Sequence, residues 1–443
     1  MPININKDSA LNLKMSRSSI HRQSTSGLRL YGLVFLIFLI VLVLIAGAIF
    51  QIVRSPGKLK VSLTNSKNLV SSNSTPLMLP WPPQGEAALE IQGIGLLGSY
   101  GGNTAYPLWS VTKLMTAYVI YKDHPLSVGQ QGPTITVTPA DVAVYDQEVA
   151  QHDSVVKIAA GEQMSELVAL QALLVPSGDN IATMLANWDA GSVQNFTVKM
   201  NFWAQKLGMI NTHYADASGL STQSVSIASD QLKLLKAVWT IPILSQILEM
   251  PQVVLPPPSG LQYNYDYLTG YDGFLGGKTG SVTTGTFAFV AQKQILGQLR
   301  TIFGVILDQS PYTQAPFALS PKCNTPNAPI CIALGAAYNL VNAIPSINFS
   351  QLTIPAGTAL GWVTSPWGQS SKIVTTSSLT FITFPGISYS LKINQLKTNL
   401  TNLSKNQILG LATFYIGTQK QSVKLAASSQ ISSPSIFWKL TRV

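Results

Sequence analysis

The chain has 443 residues, of which 46% are hydrophobic and only 10% are charged, and its formal net charge is +10. Its basic residues form neither an arginine cluster nor a stripe interleaved with aromatic residues, so the sequence predicts no nucleic-acid binding. Residues 311–443 contain nine Lys or Arg and no Asp or Glu. We interpret this segment as a solvated surface that tolerates low pH, with attraction to an anionic wall or membrane surface as the alternative.

The first predicted element is a transmembrane helix over residues 33–53, which follows a cytoplasmic tail of residues 1–32. Residues 33–50 contain no charge, and about 20 apolar residues cross a hydrocarbon core. Because positive flanks stay in the cytoplasm, the rest of the chain is expected outside it, attached to the cell membrane. Cleavage as a signal peptide near residues 46–48 and a buried core helix are the alternatives. Five basic residues precede the run: Lys7, Lys14, Arg17, Arg22 and Arg29.

Residues 54–85 are rich in Lys, Ser, Asn and Pro and are predicted to be a linker. Residues 86–347 follow as one domain, in which helical and strand-like segments alternate and the strands cluster late. This pattern predicts an α/β domain with a mainly antiparallel sheet. The predicted helices are the one that opens at Ser110 and those over 163–174, 195–207 and 228–239. The predicted strands cover 88–97, 284–292 and 300–307.

The pattern changes in residues 348–443, where short β-branched and aromatic runs alternate with Gly, Pro and Asn turns. No helical period competes there, so we predict a small all-β domain of the sandwich or barrel kind. The predicted strands cover 351–355, 361–364, 372–385, 387–394, 408–416, 421–426 and 435–441.

Cys323 and Cys331 are the two cysteines of the chain, and they flank a Pro-rich loop. Outside the cytoplasm, two cysteines this close are expected to form a disulfide. No His or further Cys stands near them, and the four histidines show no ligand spacing. The sequence therefore predicts no metal site and no cofactor.

Ser110 and Lys113 are three residues apart at the predicted start of a helix, so both side chains rise on one face. Burial beside a second cation disfavours the ammonium form of a lysine. A neutral Lys113 can accept the proton of Ser110 as a general base and make the serine a nucleophile. The spacing alone is common: Ser55 and Lys58 share it, as do Ser154 and Lys157, and we interpret both of those pairs as accidental.

Two later motifs complete the chemistry. Ser177 follows an apolar run and can relay a proton between the base and a leaving amine, although a helix N-cap is the alternative role. Lys278 and Thr279 can hold a terminal carboxylate, and Gly280 lets a substrate backbone come close. The backbone amides of Ser110 and Ser281 are the expected oxyanion hole.

From about residue 87 to residue 443, the chain resembles the serine-type D-Ala-D-Ala carboxypeptidases, which are low-molecular-mass penicillin-binding proteins. The resemblance implies a catalytic domain of the β-lactamase and DD-peptidase fold, followed by a β domain. It implies that Ser110 forms an acyl-enzyme with Lys113 as base and Ser177 as relay, while Lys278 and Thr279 bind the substrate carboxylate. The implied partners are peptidoglycan stem peptides ending in D-Ala-D-Ala and β-lactam antibiotics, the penicillins binding covalently. The similar segments are residues 110–117, 207–220, 271–280 and 354–361.

The second motif departs from the family pattern, which usually ends in Asn, because here Asp179 stands at that position and Asn180 follows it. An ionised Asp accepts hydrogen bonds but does not donate them, and it keeps a nearby lysine charged. Three interpretations follow: Asn180 supplies the amide through a shifted turn, Asp179 is protonated in an acidic milieu, or activity is impaired.

Two other classes of function remain open at this stage. A β-lactamase shares the fold, but the anchor and the second β domain argue against it, as does the absence of a Glu-x-x-x-Asn element between Ser110 and Lys278. A non-catalytic penicillin-binding sensor or wall-binding protein keeps the pocket and loses turnover, and Asp179 is the residue that favours it.

Overall fold

The described part of the chain begins with one long helix, α1 (Ile20–Val53). In the computed structural model, the described residues are 20–64, 77–310, 323 and 328–442, so much of the predicted tail and residues 65–76 of the predicted linker lie outside them. The most apolar 18-residue window within residues 29–53 of α1 has a mean hydropathy of 3.4, and none of it is buried. At 1.5 Å per residue, residues 29–53 are long enough to cross a bilayer. An exposed apolar helix at this place is typical of a membrane anchor or a signal sequence.

The predicted linker contains a strand. β1 (Lys60–Leu63) pairs antiparallel with residues 359–364 of the C-terminal domain, with Lys60 opposite Thr364 and Leu63 opposite Gly361. Leu59 just before it is 3% exposed. Residues 54–85 were expected to be a simple tether, and for residues 60–63 this expectation is wrong. These residues pair with a strand that lies about 300 residues later in the sequence.

The central domain has a five-stranded antiparallel sheet flanked by helices, with its strands in the order 274–281, 285–295, 298–309, 86–91 and 95–100, and this confirms the predicted α/β fold class. The predicted strand over 88–97 is two strands joined by a turn. The strands are β2 (Glu86–Ile91), β3 (Gly95–Tyr100), β4 (Tyr106–Pro107), β5 (Thr134–Thr136), β6 (Gln163–Ser165), β7 (Val225–Ser226), β8 (Gln252–Leu255), β9 (Gly260–Tyr263), β10 (Phe274–Ser281), β11 (Gly285–Ile295) and β12 (Gln298–Gln309). The helices are α2 (Lys113–Asp123), α3 (Pro139–Ala150), α4 (Glu166–Leu174), α5 (Asp179–Ala190), α6 (Val193–Lys206), α7 (Ala228–Trp239), α8 (Pro242–Leu248) and α9 (Pro329–Ala343).

The sheet of the central domain is covered on both faces, and strand β11 shows why. Its successive side chains alternate between the faces: Ala288 and Val290 join the core that contains α2, α4, α5 and α7, whereas Phe287 and Phe289 join the core under α9. All four residues are fully buried. A strand that is buried on both faces is expected to be a continuous apolar run, and residues 287–291 are one.

The C-terminal domain is formed by β strands around its own core. Its main sheet has six antiparallel strands in the order 60–63, 359–364, 370–375, 419–427, 408–416 and 389–394, and residues 350–354 pair with residues 379–383 in a second sheet. The core includes Val363, Ile373, Phe381, Phe414 and Leu425. The elements are β13 (Ser350–Ile354), β14 (Ala359–Thr364), β15 (Ser370–Thr375), β16 (Leu379–Thr383), β17 (Tyr389–Asn394), β18 (Ile408–Ile416), β19 (Gln419–Ala427) and α10 (Ile436–Thr441).

The last predicted strand, over 435–441, is wrong, because this segment is helix α10. The hydroxyl of Ser435 accepts a hydrogen bond from the backbone N of Trp438 at 3.1 Å and so caps the helix. Just beyond the helix, the Arg442 guanidinium donates to the backbone carbonyls of Gln51, Arg54 and Ser55 at 2.9, 2.5 and 2.8 Å. The final carbonyls of a helix have no donors within the helix. Arg442 supplies donors to the carbonyls at the end of α1 and so connects α1 to the segment that follows α10.

Cys323 and Cys331 are joined by a disulfide, with their Cα atoms 5.7 Å apart. Cys331 lies in the first turn of α9 and is 1% exposed. The bond therefore connects the segment before α9 to a helix that packs on the central sheet.

Candidate active site

Ser110 and Lys113 meet where a short 3-10 turn, residues 109–112, continues into α2. The Lys113 side chain is fully buried, and its Nζ donates to Ser110 Oγ at 2.7 Å. It also donates to Asp179 Oδ1 at 2.5 Å and to the carbonyl of Ser218 at 3.0 Å. These three acceptors match the three donors of an ammonium group. Lys113 is thus placed to exchange a proton with Ser110, and it forms an ion pair with Asp179.

The backbone of the nucleophile turn is held in a sparsely populated conformation. Trp109, just before Ser110, has a φ of 48°, in the left-handed region that costs a non-glycine residue energy. Its indole Nε1 donates to Thr284 Oγ1 at 3.0 Å. Gly219 packs against the Trp109 carbonyl so closely that a Cβ there would collide with it. These contacts fix the direction in which the following Ser110 points.

Ser177 also adopts a left-handed backbone, with φ of 65°, and is 3% exposed. Helix α5 begins only at Asp179, and its N-cap residue is Gly178, without a side-chain capping bond. The alternative role of Ser177 as a helix cap is therefore wrong. Its side chain instead lines the same cavity as Ser110.

Asp179 and Asn180 point to different partners. The second oxygen of Asp179, Oδ2, accepts from the backbone N of Ser154 at 3.0 Å, so the carboxylate bridges Lys113 and the loop that contains Ser154. Asn180 uses both ends of its amide on the backbone of Val156, at 2.9 and 2.8 Å. The interpretation that Asn180 replaces the family's Asn beside Lys113 is therefore wrong, since its amide is occupied elsewhere.

Ser154 belongs to the site, although its SxxK spacing was interpreted as accidental. It lines the cavity with Ser110 and Ser177, and its carbonyl accepts from the backbone N of Asp179 at 2.7 Å. The segment is not helical, and Lys157 is exposed, so the pair is no nucleophile and base. Ser154 is held in the site by hydrogen bonds between its backbone and Asp179, which lies 25 residues later in the sequence.

The third motif lies on strand β10, where Lys278 and Thr279 are 1% and 2% exposed. A Cβ on Gly280 would lie 2.7 Å from the backbone N of Ser110, so only glycine lets this strand approach the nucleophile turn. The hydroxyl of Thr286 donates to the carbonyl of Leu108 at 3.0 Å and holds the two segments together.

Burial governs the electrostatics of the site. Burial, reinforced by the charge of Lys113, holds the pKa of Lys278 well below its ordinary value, although Asp179 and Asp266 act in the opposite sense. Burial, with the charges of Asp179 and Asp153, raises the pKa of Glu148 to about 8 against the opposing charge of Lys113. Glu148 is 7% exposed, and its Oε2 has no partner among the described residues. Glu148 lies on helix α3 outside any of the predicted motifs, and its charge interacts with those of Asp179 and Lys113.

The cavity above Ser110 has a volume of about 240 Å³. The cavity is also lined by three residues that the sequence did not predict, namely Tyr265, Tyr267 and Ile330. They lie in a loop and at the start of a helix, and only the folded structure shows that these segments are close to Ser110. Among the described residues, no three His, Cys, Asp or Glu side chains form a group that fits a metal ion. The cavity is lined by Ser110, Ser154, Ser177, Tyr265, Tyr267, Thr279, Gly280, Ser281 and Ile330.

The antiparallel sheet with flanking helices and the contact between Ser110 and Lys113 are what the resemblance to the penicillin-interacting serine peptidases predicts. Residues 97–310 match the model of the D-alanyl-D-alanine carboxypeptidase family, peptidase S11. The predicted resemblance to low-molecular-mass penicillin-binding proteins is confirmed.

Curated relatives share parts of the sequence. The D-alanyl-D-alanine endopeptidase of Pseudomonas aeruginosa is 33% identical over 170 residues, which are 38% of this chain and 51% of that protein. The D-alanyl-D-alanine carboxypeptidase DacD of Escherichia coli is 32% identical over 112 residues, 25% of this chain and 28% of that protein. The chain thus spans about half or less of the length of these relatives.

Two solved structures share the fold over most of the chain. Penicillin-binding protein 5 from Haemophilus influenzae superposes with a TM-score of 0.54 at 17% identity, covering 81% of this chain and all of that one. PBP3 from Streptococcus pneumoniae, described as a peptidoglycan synthesis regulatory factor, gives 0.55 at 18% identity, covering 80% and 100%. At these identities the likeness shows the fold alone.

Proposed function

We propose that this chain is a membrane-anchored serine D-Ala-D-Ala carboxypeptidase that trims the terminal D-Ala from peptidoglycan stem peptides. In this proposal α1 is the anchor, residues 1–32 are cytoplasmic, and the central and C-terminal domains lie outside. The observation that carries it is the 2.7 Å contact between Ser110 Oγ and Lys113 Nζ beside a cavity that Ser177 and Thr279 share.

The proposed reaction has two halves. Ser110 Oγ attacks the carbonyl between the two D-Ala residues, its proton passes to a neutral Lys113, and Ser177 relays a proton to the departing D-Ala amine. Water then hydrolyses the ester and frees Ser110. Lys278 and Thr279 bind the terminal carboxylate, and the backbone amides of Ser110 and Ser281 bind the oxyanion. A β-lactam that enters the same site forms the same kind of ester and stays bound.

Asp179 sets the condition under which the base works. An ionised carboxylate at 2.5 Å stabilises the Lys113 ammonium, which cannot accept a proton. A protonated Asp179 carries no charge and can donate as well as accept, like the family's Asn. We therefore infer that the base works after the Lys113 ammonium has passed its proton to Asp179, which leaves the lysine neutral and the carboxyl protonated.

The test is D-alanine release from a stem pentapeptide by the detergent-solubilised chain between pH 3 and 8, beside Ser110→Ala. Release that is lost in the variant supports the carboxypeptidase. No release at any pH from folded protein contradicts the proposal. A cross-linked peptide dimer in the same assay separates carboxypeptidase from endopeptidase preference.

The second candidate is a penicillin-binding sensor without turnover. The Lys113–Asp179 ion pair favours it, because both side chains are buried and a permanently charged Lys113 cannot serve as a base. A sensor stays acylated after one encounter, whereas an enzyme releases D-alanine repeatedly.

A further inference from the structure

Three tyrosines form a row that runs from the surface into the active-site cavity. Tyr263 ends strand β9, and Tyr265 and Tyr267 follow at alternate positions. Their exposed fractions are 64%, 41% and 41%, and the last two line the cavity that contains Ser110. The reaction proposed above uses none of these rings, so the row has a role still to be assigned.

The residues between the tyrosines hold the row in place. Asn264 and Asp266 are buried, and the Asn264 amide donates to the carbonyl of Met250 at 2.9 Å while its Oδ1 accepts from the backbone N of Asp266 at 2.8 Å. The Asp266 carboxylate accepts from the backbone N of Leu268 at 3.0 Å and from Thr269 Oγ1 at 2.9 Å. Because these alternate side chains are fixed inward, the three rings are held outward.

The surface of the tyrosine row is uncharged and has free hydrogen-bonding capacity. Residues 250–271 contain no Lys or Arg, and their one acidic residue is the buried Asp266. Within the described part of the chain, the three hydroxyl groups make no hydrogen bond. Val254 and Leu261, opposite each other on the β8–β9 hairpin, are 75% and 45% exposed and extend the apolar surface away from the cavity.

We propose that the tyrosine row is a subsite for the glycan strand to which the stem peptide is attached, namely for uncharged N-acetylated amino sugars. This inference rests on the proposed function. A pyranose ring has an apolar C–H face and polar edges, which match a tyrosine that offers a flat ring and a hydroxyl. Tyrosine gives such contacts at low entropic cost because it has few rotatable bonds. A charged peptide would find no counter-charge on this surface. Tyr265 and Tyr267 line the cavity that the D-Ala-D-Ala end enters, so the sugars, which are several residues from the scissile bond, lie at the outer end of the row on Tyr263.

The experiment compares kcat/KM for D-alanine release from two probes by the full chain in detergent. One probe is the free pentapeptide, and the other is the same pentapeptide on the disaccharide of N-acetylglucosamine and N-acetylmuramic acid. We expect kcat/KM to be about tenfold higher for the disaccharide probe than for the free pentapeptide. In Tyr263→Ala and in Tyr265→Ala, the ratio of the two kcat/KM values should fall towards one. Tyr263→Phe keeps most of it. Phe202→Ala, which removes an aromatic ring 49% exposed on α6, leaves it unchanged.

Equal kcat/KM for the two probes, or a preference that survives both alanine variants, overturns the glycan subsite and leaves the peptidase intact. Release from neither probe contradicts the proposed function instead. In that case calorimetry on Ser110→Ala decides the subsite: tighter binding of the disaccharide probe that Tyr263→Ala abolishes supports it, and equal Kd values overturn it. Thermal melting of each variant verifies that these exposed substitutions leave the chain folded.

Discussion

Lys113 Nζ lies 2.5 Å from Asp179 Oδ1, with 0% and 3% of the two side chains exposed. An ion pair out of contact with water is unscreened, and removing one partner leaves a buried charge uncompensated. The pair therefore couples the general base to the residue that departs from the family motif.

Asp179→Asn is expected to extend activity towards neutral pH. The amide oxygen can still accept from the backbone N of Ser154, while the amide nitrogen can donate to a neutral Lys113, and the negative charge beside the lysine is removed. We expect D-alanine release at pH 7 to rise about tenfold relative to wild type, corresponding to about 1.4 kcal/mol. Asp189→Asn, which changes an ion pair on the other end of α5, is the control. An unchanged pH profile in Asp179→Asn would argue against protonation of Asp179 as the working condition.

Glu148→Gln is expected to stabilise the chain at high pH and to leave it unchanged in acid. The folded pKa of about 8 exceeds the ordinary 4.5, so the folded state binds the proton more tightly. Its stabilising contribution is complete below pH 4.5 and is lost as the pH rises through 8. Thermal melting should show equal Tm values at pH 4 and a higher Tm for Glu148→Gln at pH 8, by about 2–4 °C for each kcal/mol.

The exposed Asp146 on the same helix α3 supplies the control for this comparison, as Asp146→Asn. Both carboxyl groups lie on the same helix, but only that of Glu148 is buried. A pH-dependent change of Tm that occurs in Glu148→Gln and not in Asp146→Asn is therefore caused by burial. Equal shifts in both variants would contradict the assignment.

Gly280→Ala is expected to abolish acylation without unfolding the domain. The new methyl group would lie 2.7 Å from the backbone N of Ser110 and 2.5 Å from Thr286 Oγ1, so strand β10 must move away from the nucleophile turn. A displaced oxyanion donor costs about 100-fold or more in rate. Gly47→Ala, in α1 where no atom lies within 4 Å of the added methyl group, is the control. Full activity in Gly280→Ala would show that β10 does not set the position of Ser110.

Loss of the disulfide is expected to lower stability by roughly 2–3 kcal/mol on the chain-entropy model. Cys323→Ser and Cys331→Ser should lower Tm equally, and the double variant should add nothing, because the two sulfur atoms form one bond. Additive losses in the double variant would mean that the cysteines stabilise the chain separately. Ile330, next to Cys331, lines the cavity, so a higher KM should accompany the lower Tm.

The parts predictable from sequence were those with local signals. Strand β11 could be predicted from its hydrophobic pattern, and the three motifs could be predicted from residue type and spacing. β1 was missed because its partner, β14, lies about 300 residues away, and pairing at that distance leaves no local trace. Residues 435–441 were predicted as a strand because a short apolar run fits both the strand period and the helix period. They form a helix, which the hydroxyl of Ser435 caps.

The candidate site divides in the same way. Ser110, Lys113, Ser177, Lys278 and Thr279 stand in motifs, whereas Ser154 enters through backbone hydrogen bonds to Asp179. Glu148 differs from an exposed helical glutamate only in what packs around it. The tyrosines of the row alternate with buried polar residues, which was a period-2 signal that sequence reasoning could have used.

The most direct test of the central claim is mass spectrometry of the full chain after incubation with benzylpenicillin across the pH range. The account predicts one adduct per chain, located on the peptide that contains Ser110 and absent from Ser110→Ala. It also predicts that the adduct blocks D-alanine release. No adduct at any pH, or an adduct on Ser154 or Ser177, would contradict the assignment of Ser110 as the nucleophile.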